Sequence, residues 1–263
     1  MRPRLVVLGG GRMGEALVVG LMASDWAQAG ALVVVEERPE QRVALRERHP
    51  GLVVSDAVMA GDGLVLAVKP TDAERSARAA AATGFDRALS IVAGVTLAQL
   101  EGWLGQGVAV VRAMPNTPAL IGAGAAAIAG GSRADQGTLA WAEAVLGAVG
   151  TVARVPEHLL DAVTGLSGSG PAYVCLVAEA LVEAGVLVGL PREVSRSLVR
   201  QTLLGSARLL AESDQEPEAL RAAVTSAGGT TAAGLRVLES RATRSAFIEA
   251  VAAATERSRQ LGE

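Results

Sequence analysis

Two stretches of this sequence carry residue types that bind anions. The first is Gly9-Gly10-Gly11-Arg12-Met13-Gly14, a GxGxxG pattern directly after the apolar run Leu5–Leu8. In that pattern the first glycine makes a tight turn and the second admits the backbone to a pyrophosphate. The third lets a helix pack closely on its strand, with the helix N-terminus facing the phosphates. A second apolar run, Leu32–Val35, ends at Glu36, where an acidic side chain can accept a hydrogen bond from a ribose hydroxyl. Arg38 pulls the other way, because a nearby arginine can hold the extra phosphate of NADP. The chemistry is dinucleotide binding, and the choice between NADPH and NADH stays open at this level.

The second stretch is VTSAGGTTAAG, residues 224–234. Thr225, Ser226, Thr230 and Thr231 flank Gly228-Gly229 between apolar segments of helical pattern. The stretch fits a helix break whose hydroxyls cap the next helix. It equally fits a cradle in which the amides of Gly228, Gly229, Thr230 and Thr231 hold a small anion at a helix start.

Three further stretches sit where strands should end. LAVKP, residues 66–70, contains Lys69, the only lysine among 24 Lys and Arg residues. Ala93-Gly94 closes the next run in a similar way. VRAMPNTPA, residues 111–119, combines two stiffening prolines with Asn116 and Thr117, which can hydrogen-bond within a turn. GLSGSGPAY, residues 165–173, reads as a Gly/Ser loop opening a long helix.

Other chemistries lack their residues. His49 and His158 are the two histidines, and Cys175 is the single cysteine, so no Cys/His metal set and no HExxH pattern arise. No GxSxG elbow is present. Three Trp, two Phe and one Tyr are too few for a base-stacking platform, and a net charge of −3 gives no bulk attraction to nucleic acid or to an anionic membrane. A lone cysteine suits the cytoplasm. The apolar run after the basic first residues ends too soon for a signal peptide. The greasy run 171–191 carries Glu179 and Glu183 and reads as a buried helix of a soluble protein.

The elements that must position these residues alternate in the first part. Apolar runs at 5–8, 32–35, 63–68, 88–93 and 108–111 are separated by helical patterns at 13–22, 39–48, 72–82 and 97–104. Runs at 123–129 and 151–155 bracket one more helix. Short strands apolar on both faces, alternating with helices, predict a doubly wound, mostly parallel sheet. Beyond residue 157 the patterns are helical only: 171–188, 192–212, 218–224, 231–239 and 245–260. The chain therefore divides into 1–157, a dinucleotide-binding α/β domain, and 158–263, an all-α domain. Its helices are apolar on more than one face, which predicts oligomerisation through this half.

In this order and spacing, GxGxxG, LAVKP, VRAMPNTPA, GLSGSGPAY and TSAGGTTAAGL resemble the pyrroline-5-carboxylate reductase family over nearly the whole chain. The resemblance implies a Rossmann domain followed by a C-terminal dimerisation domain, with dimers that can assemble into decamers. It implies reduction of 1-pyrroline-5-carboxylate to proline by NADPH or NADH. It places Gly9 to Gly14, Ala67, Val68, Lys69, Pro70, Ala93 and Gly94 along the cofactor, with Met114, Pro115 and Asn116 bordering the nicotinamide. It places Ser226, Gly228, Gly229, Thr230 and Thr231 on the substrate, with Thr231 and Ser226 closest to the chemistry and Glu157 and Asp214 as nearby acids. It calls for no metal. Two departures stand out: Ala227 replaces a usual proline, and Glu36 stands where many relatives carry small polar residues.

Overall fold

A computed structural model describes residues 2–262. The first part runs β1 (Leu5–Leu8), α1 (Arg12–Ala23), β2 (Leu32–Val35), α2 (Pro39–Arg48) and β3 (Val53–Ser55). It continues through β4 (Leu64–Leu66), α3 (Ala73–Ala81), β5 (Arg87–Ser90), α4 (Leu97–Leu104) and β6 (Ala109–Met114). Then come β7 (Gly124–Gly130), α5 (Gln136–Gly147), β8 (Gly150–Arg154) and the short α6 (Leu160–Val163). The strands form one eight-stranded sheet among the described residues, in the order β3-β2-β1-β4-β5-β6-β7-β8. All neighbours are parallel except β6 and β7.

The sequence explains this sheet strand by strand. β1 and β2 are four-residue runs of Leu and Val, buried throughout. Leu5 and Val7 join one apolar cluster with Leu17, Leu21 and Trp141, while Val6 and Leu8 join another with Leu66, Ala77 and Leu100. Alternate residues of one strand thus bury on opposite faces, the mark of a sheet covered on both sides. β3 was not foreseen. It is three residues long at the sheet edge, with Val53 exposed and only Val54 buried, so its apolar signal is too short to stand out.

The remaining helices are α7 (Gly170–Leu187), α8 (Arg192–Glu212), α9 (Pro217–Ala223), α10 (Thr230–Ser240) and α11 (Thr243–Gly262). The chain forms two compact units: residues 2–169 with Ala253 onward, and Gly170–Ala252. In the second unit α7 and α8 pack on each other, and Ser195 Oγ donates to the Val182 carbonyl at 2.9 Å. Two expectations need correction. The run 171–191 is not buried within this chain: α7 contains no buried residue, and Leu187 is 87% exposed. Its apolar faces exceed what one neighbouring helix can cover. The Gly/Ser stretch before it is not a loop either. Residues Thr164–Gly168 form a π-helical turn, with the Thr164 and Ser167 hydroxyls donating to the carbonyls of Leu160 and Val163 at 2.8 and 3.1 Å. Hydroxyls that bond back four residues compete for helix carbonyls and bend a helix, which suits a π turn here.

Candidate active site

The sheet order reverses direction between β1 and β4, and ligands of doubly wound sheets lie beyond the strand ends at such a switch. Register decides which residues meet there. Leu8 pairs with Val35 on one side and Leu66 on the other, so the residues that follow, Gly9, Glu36 and Ala67, stand abreast. The Gly9 amide donates to the Val35 carbonyl and the Ala67 amide to the Leu8 carbonyl, both at 2.8 Å.

The turn after β1 needs its glycines for different reasons. Gly9 has φ +104°, and a Cβ there would lie 2.4 Å from the Ala67 carbonyl oxygen. A Cβ on Gly14 would lie 2.1 Å from the Gly9 carbonyl, so Gly14 lets α1 close onto the strand. Gly11 faces open space, with nothing within 4 Å of its Cβ position. No side chain caps α1. A backbone stripped of side chains, facing open space at an uncapped helix start, fits a pyrophosphate. Arg12 is exposed beside it, whereas Met13 packs against the core.

A cleft of about 510 Å³ opens along these strand ends, lined by Gly9, Gly11, Glu36, Arg38, Ala67, Val68 and Lys69. Sequence reasoning missed its far wall: Asp56, Asp72, Arg75, Ser76 and Ala79. The last four recur at i, i+3, i+4 and i+7, one helical face, and that periodicity was the available signal. At the floor, the buried Glu36 carboxylate accepts from the Gly10 amide at 3.1 Å and from the amide and Nε of Arg38, both at 3.0 Å. Burial pushes this carboxyl up, but the Arg38 hydrogen bonds and charge and the Gly10 amide outweigh it and hold it below the usual carboxylate range. Arg75 pairs with Glu37 and with Asp72.

Further along the sheet, Ala93 and Gly94 form the turn after β5, Met114 ends β6, and Pro115 and Asn116 follow it. Asn116 acts as a clamp. Its Oδ1 accepts from the Ala125 amide at 2.8 Å, and its Nδ2 donates to the Ser167 carbonyl at 3.0 Å. A Cβ on Gly168 would meet the Met114 methyl at 2.8 Å, so the π turn lies directly against this strand end. Glu157 is tied in beside it: its Oε1 accepts from the Leu97 amide at 2.7 Å and from Arg112 at 2.9 Å.

In the second unit, Gly229 is the N-cap of α10 and no side chain caps the helix. The hydroxyls near this end therefore do not take the capping role that their types allow. Gly228 has φ +70°, and a Cβ on Gly229 would fall 2.4 Å from Ser226 Oγ. The Gly229 amide donates to the Ser226 carbonyl at 3.0 Å, which tightens the loop and removes that amide from the donors counted in the sequence. The first bond along α10 is from Ala233 to Gly229, so the Thr230 and Thr231 amides precede the helical ladder. Ser226, Thr230, Thr231 and Asp214 are exposed.

Comparisons with known proteins agree with this arrangement. Residues 157–261 match the family model described as pyrroline-5-carboxylate reductase dimerisation, and residues 4–93 match the one described as NADP oxidoreductase, coenzyme F420-dependent. The chain is 45% identical to a pyrroline-5-carboxylate reductase of Synechocystis sp., over all of both chains. It is 45% identical to one of Mycobacterium tuberculosis, covering 98% of this chain and 96% of the relative. Among solved structures, a Coxiella burnetii pyrroline-5-carboxylate reductase superposes with TM-score 0.94 at 35% identity, over 100% of each chain. A Plasmodium falciparum pyrroline carboxylate reductase with NADP bound superposes with TM-score 0.84 at 30% identity, over 99% of this chain and 98% of the other.

Proposed function

This chain belongs to the pyrroline-5-carboxylate reductase family, and we propose how its own residues carry that family's reaction. The protein is an NAD(P)H-dependent oxidoreductase that reduces the C=N bond of 1-pyrroline-5-carboxylate to L-proline, the last step of proline biosynthesis. When bound, the reduced nicotinamide supplies the hydride. Gly9 to Gly14 hold the pyrophosphate, and Glu36, Arg38 and Ala67 to Pro70 hold the adenosine half. Ala93, Gly94, Met114, Pro115 and Asn116 shape the nicotinamide end. The loop from Ser226 to Thr231 holds the substrate carboxylate on the Thr230 and Thr231 amides, with Gly228 and Gly229 keeping side chains out of its way. Thr231 hydrogen-bonds at the ring nitrogen, Ser226 braces the loop, and Glu157 and Asp214 add negative charge at the substrate end. A cyclic imine takes its proton from water before it binds, so the chain needs no strong general acid, in keeping with its two histidines.

Residues 1–157 serve the coenzyme, and residues 158–263 serve the substrate and self-association. The protein is a homo-oligomer, and we place the dimer contact in the helical half, with dimers assembling up to a decamer in the cytoplasm. Neither nucleic acid nor a membrane enters this function. The observation that carries the reading is the uncapped start of α10 after a glycine pair, of which Gly228 faces open space and Gly229 lies too close to Ser226 for a side chain. The test follows absorbance of reduced coenzyme with racemic pyrroline-5-carboxylate. Wild type oxidises NADH or NADPH. Thr231→Ala lowers kcat/KM about 10-fold or more, the loss of one hydrogen bond to a charged group. Unchanged kinetics in that variant would remove Thr231 from the mechanism.

A further inference from the structure

The adenosine end of the cleft contains a pair of charges arranged in a particular way. Glu36 ends β2, is buried, and is held from three directions. Its Oε2 accepts from the Gly10 amide at 3.1 Å and from Arg38 Nη2 at 3.2 Å, while its Oε1 accepts from the Arg38 amide and Nε, both at 3.0 Å. An ionised carboxylate accepts about four such bonds and donates none, so a ribose hydroxyl donating to Glu36 takes the place of one Arg38 bond while the ion pair itself stays. The Gln41 amide group, donating to the Gly10 carbonyl at 2.7 Å, fixes the same turn from α2. Glu36 is therefore a rigid acceptor beside the glycine turn.

The three arginines around this end of the cleft, Arg38, Arg75 and Arg42, are already engaged. Arg38 grips Glu36 through both Nε and Nη2. Arg75 is bound to Glu37 and Asp72. Arg42, close behind the strand end, donates to the carbonyls of Glu36 and Glu37 at 2.9 and 2.7 Å and lies 3.7 Å from Asp56. Four carboxylates line the cleft, Glu36, Glu37, Asp56 and Asp72, against three cations, Arg38, Lys69 and Arg75. A ribose hydroxyl entering this wall donates to a carboxylate. A phosphate entering it must part an ion pair and face a surplus of negative charge.

We infer that Glu36, clasped by Arg38, makes this chain select the coenzyme without a 2′-phosphate, so that it uses NADH in preference to NADPH. The inference rests on the reductase reading for its physiological meaning but not for its measurement. It also sets this chain apart from the Plasmodium falciparum relative, whose structure has NADP bound.

The experiment is an equilibrium titration of each reduced coenzyme, followed by its fluorescence, on the wild-type protein, Glu36→Ser, Glu36→Gln and Glu36→Ser with Arg38→Ala. The expected result is NADH binding about 10-fold or more tighter than NADPH in wild type, the scale of one charge-assisted contact. Glu36→Ser narrows that ratio about 10-fold, chiefly by tightening NADPH as Arg38 is released. Adding Arg38→Ala takes the gain away. Circular dichroism establishes folding, and if Glu36→Ser does not fold, Glu36→Gln and the wild-type ratio decide. NADPH binding as tightly as NADH to wild type overturns the inference, and so does a ratio that folded Glu36 variants leave unmoved. If the ratio is as expected but pyrroline-5-carboxylate causes no oxidation, the reaction fails and the selectivity stands. If oxidation runs at higher kcat/KM with NADPH, the selectivity fails and the reaction stands.

Discussion

At the scale of single residues, two carboxylates set the acid limit of the coenzyme half. Glu15 meets Arg48 at 2.8 and 3.0 Å and His49 at 2.8 Å, joining α1 to the end of α2. Burial pushes its carboxyl up, but the Arg48 and His49 hydrogen bonds and charges outweigh this and hold it below the usual carboxylate range, as Arg38 does for Glu36. A carboxyl depressed in the fold stabilises the protein above its unfolded pKa, and that contribution is lost as pH falls through the folded value. Melting temperature should therefore fall as pH drops below about 5, and Glu15→Gln should flatten that dependence. A wild-type profile unchanged by the substitution would show that the pair contributes nothing. Gly9 gives a sharper case. With φ +104° and a carbonyl 2.4 Å from its Cβ position, Gly9→Ala has to shift backbone. It should cost about 1–3 kcal/mol in denaturant unfolding and weaken coenzyme binding as well.

At the scale of elements, helix starts and strand ends do the positioning. The strand ends of β1, β2 and β4 are fixed abreast by their register, so the glycine turn and Glu36 need no special device to meet. The end of β6 runs past β5 and pairs only with β7, Met114 opposite Ala127, and one side chain secures the turn that follows. Asn116 ties the turn after β6 both to β7 and to the π turn. Asn116→Ala leaves the Ala125 amide and the Ser167 carbonyl without these partners. The expected cost is about 1–3 kcal/mol of stability, read by urea unfolding. A drop in kcat/KM beyond the loss of folded protein would link this clamp to the nicotinamide end. Asn116→Asp keeps the acceptor but loses the donor, so it should recover part of the stability.

At the scale of the whole molecule, the helical unit is incomplete as one copy. Val174, Leu176, Leu198, Leu204 and Ile248 are each more than half exposed, on helices that match the family's dimerisation region. Covering the part of each such side chain that is still exposed gains about 1–2 kcal/mol. The run Glu157–Leu187 is also long and apolar enough, by composition, to cross a membrane, and a partner subunit offers the alternative cover. Leu198→Glu should lower the sedimentation coefficient toward that of a single chain at micromolar concentration. It should also lower the melting temperature and reduce its dependence on protein concentration. A variant that sediments like wild type would move the contact elsewhere on these helices.

The amino-acid sequence by itself determined the strand–helix alternation, the glycine turn and the helical second half. These follow from local periodicity and from residues with few conformational alternatives, such as the Leu/Val runs at 5–8 and 32–35. The TSAGGTTAAGL and VRAMPNTPA stretches were legible through their resemblance to one family. Tertiary structure alone decided the rest. Whether Glu36 and Arg38 oppose or clasp each other depends on two side chains meeting over a turn, which spacing does not state. The Gly229 amide proved to be taken by the Ser226 carbonyl, and the Asn116 side chain bonds to two other segments instead of within its own turn. The edge strand β3 exists because β2 offers it hydrogen bonds, not because three residues carry a strand signal. The exposure of α7 shows the converse: an apolar sequence states that burial is needed, and only the assembled fold states whether one chain can supply it.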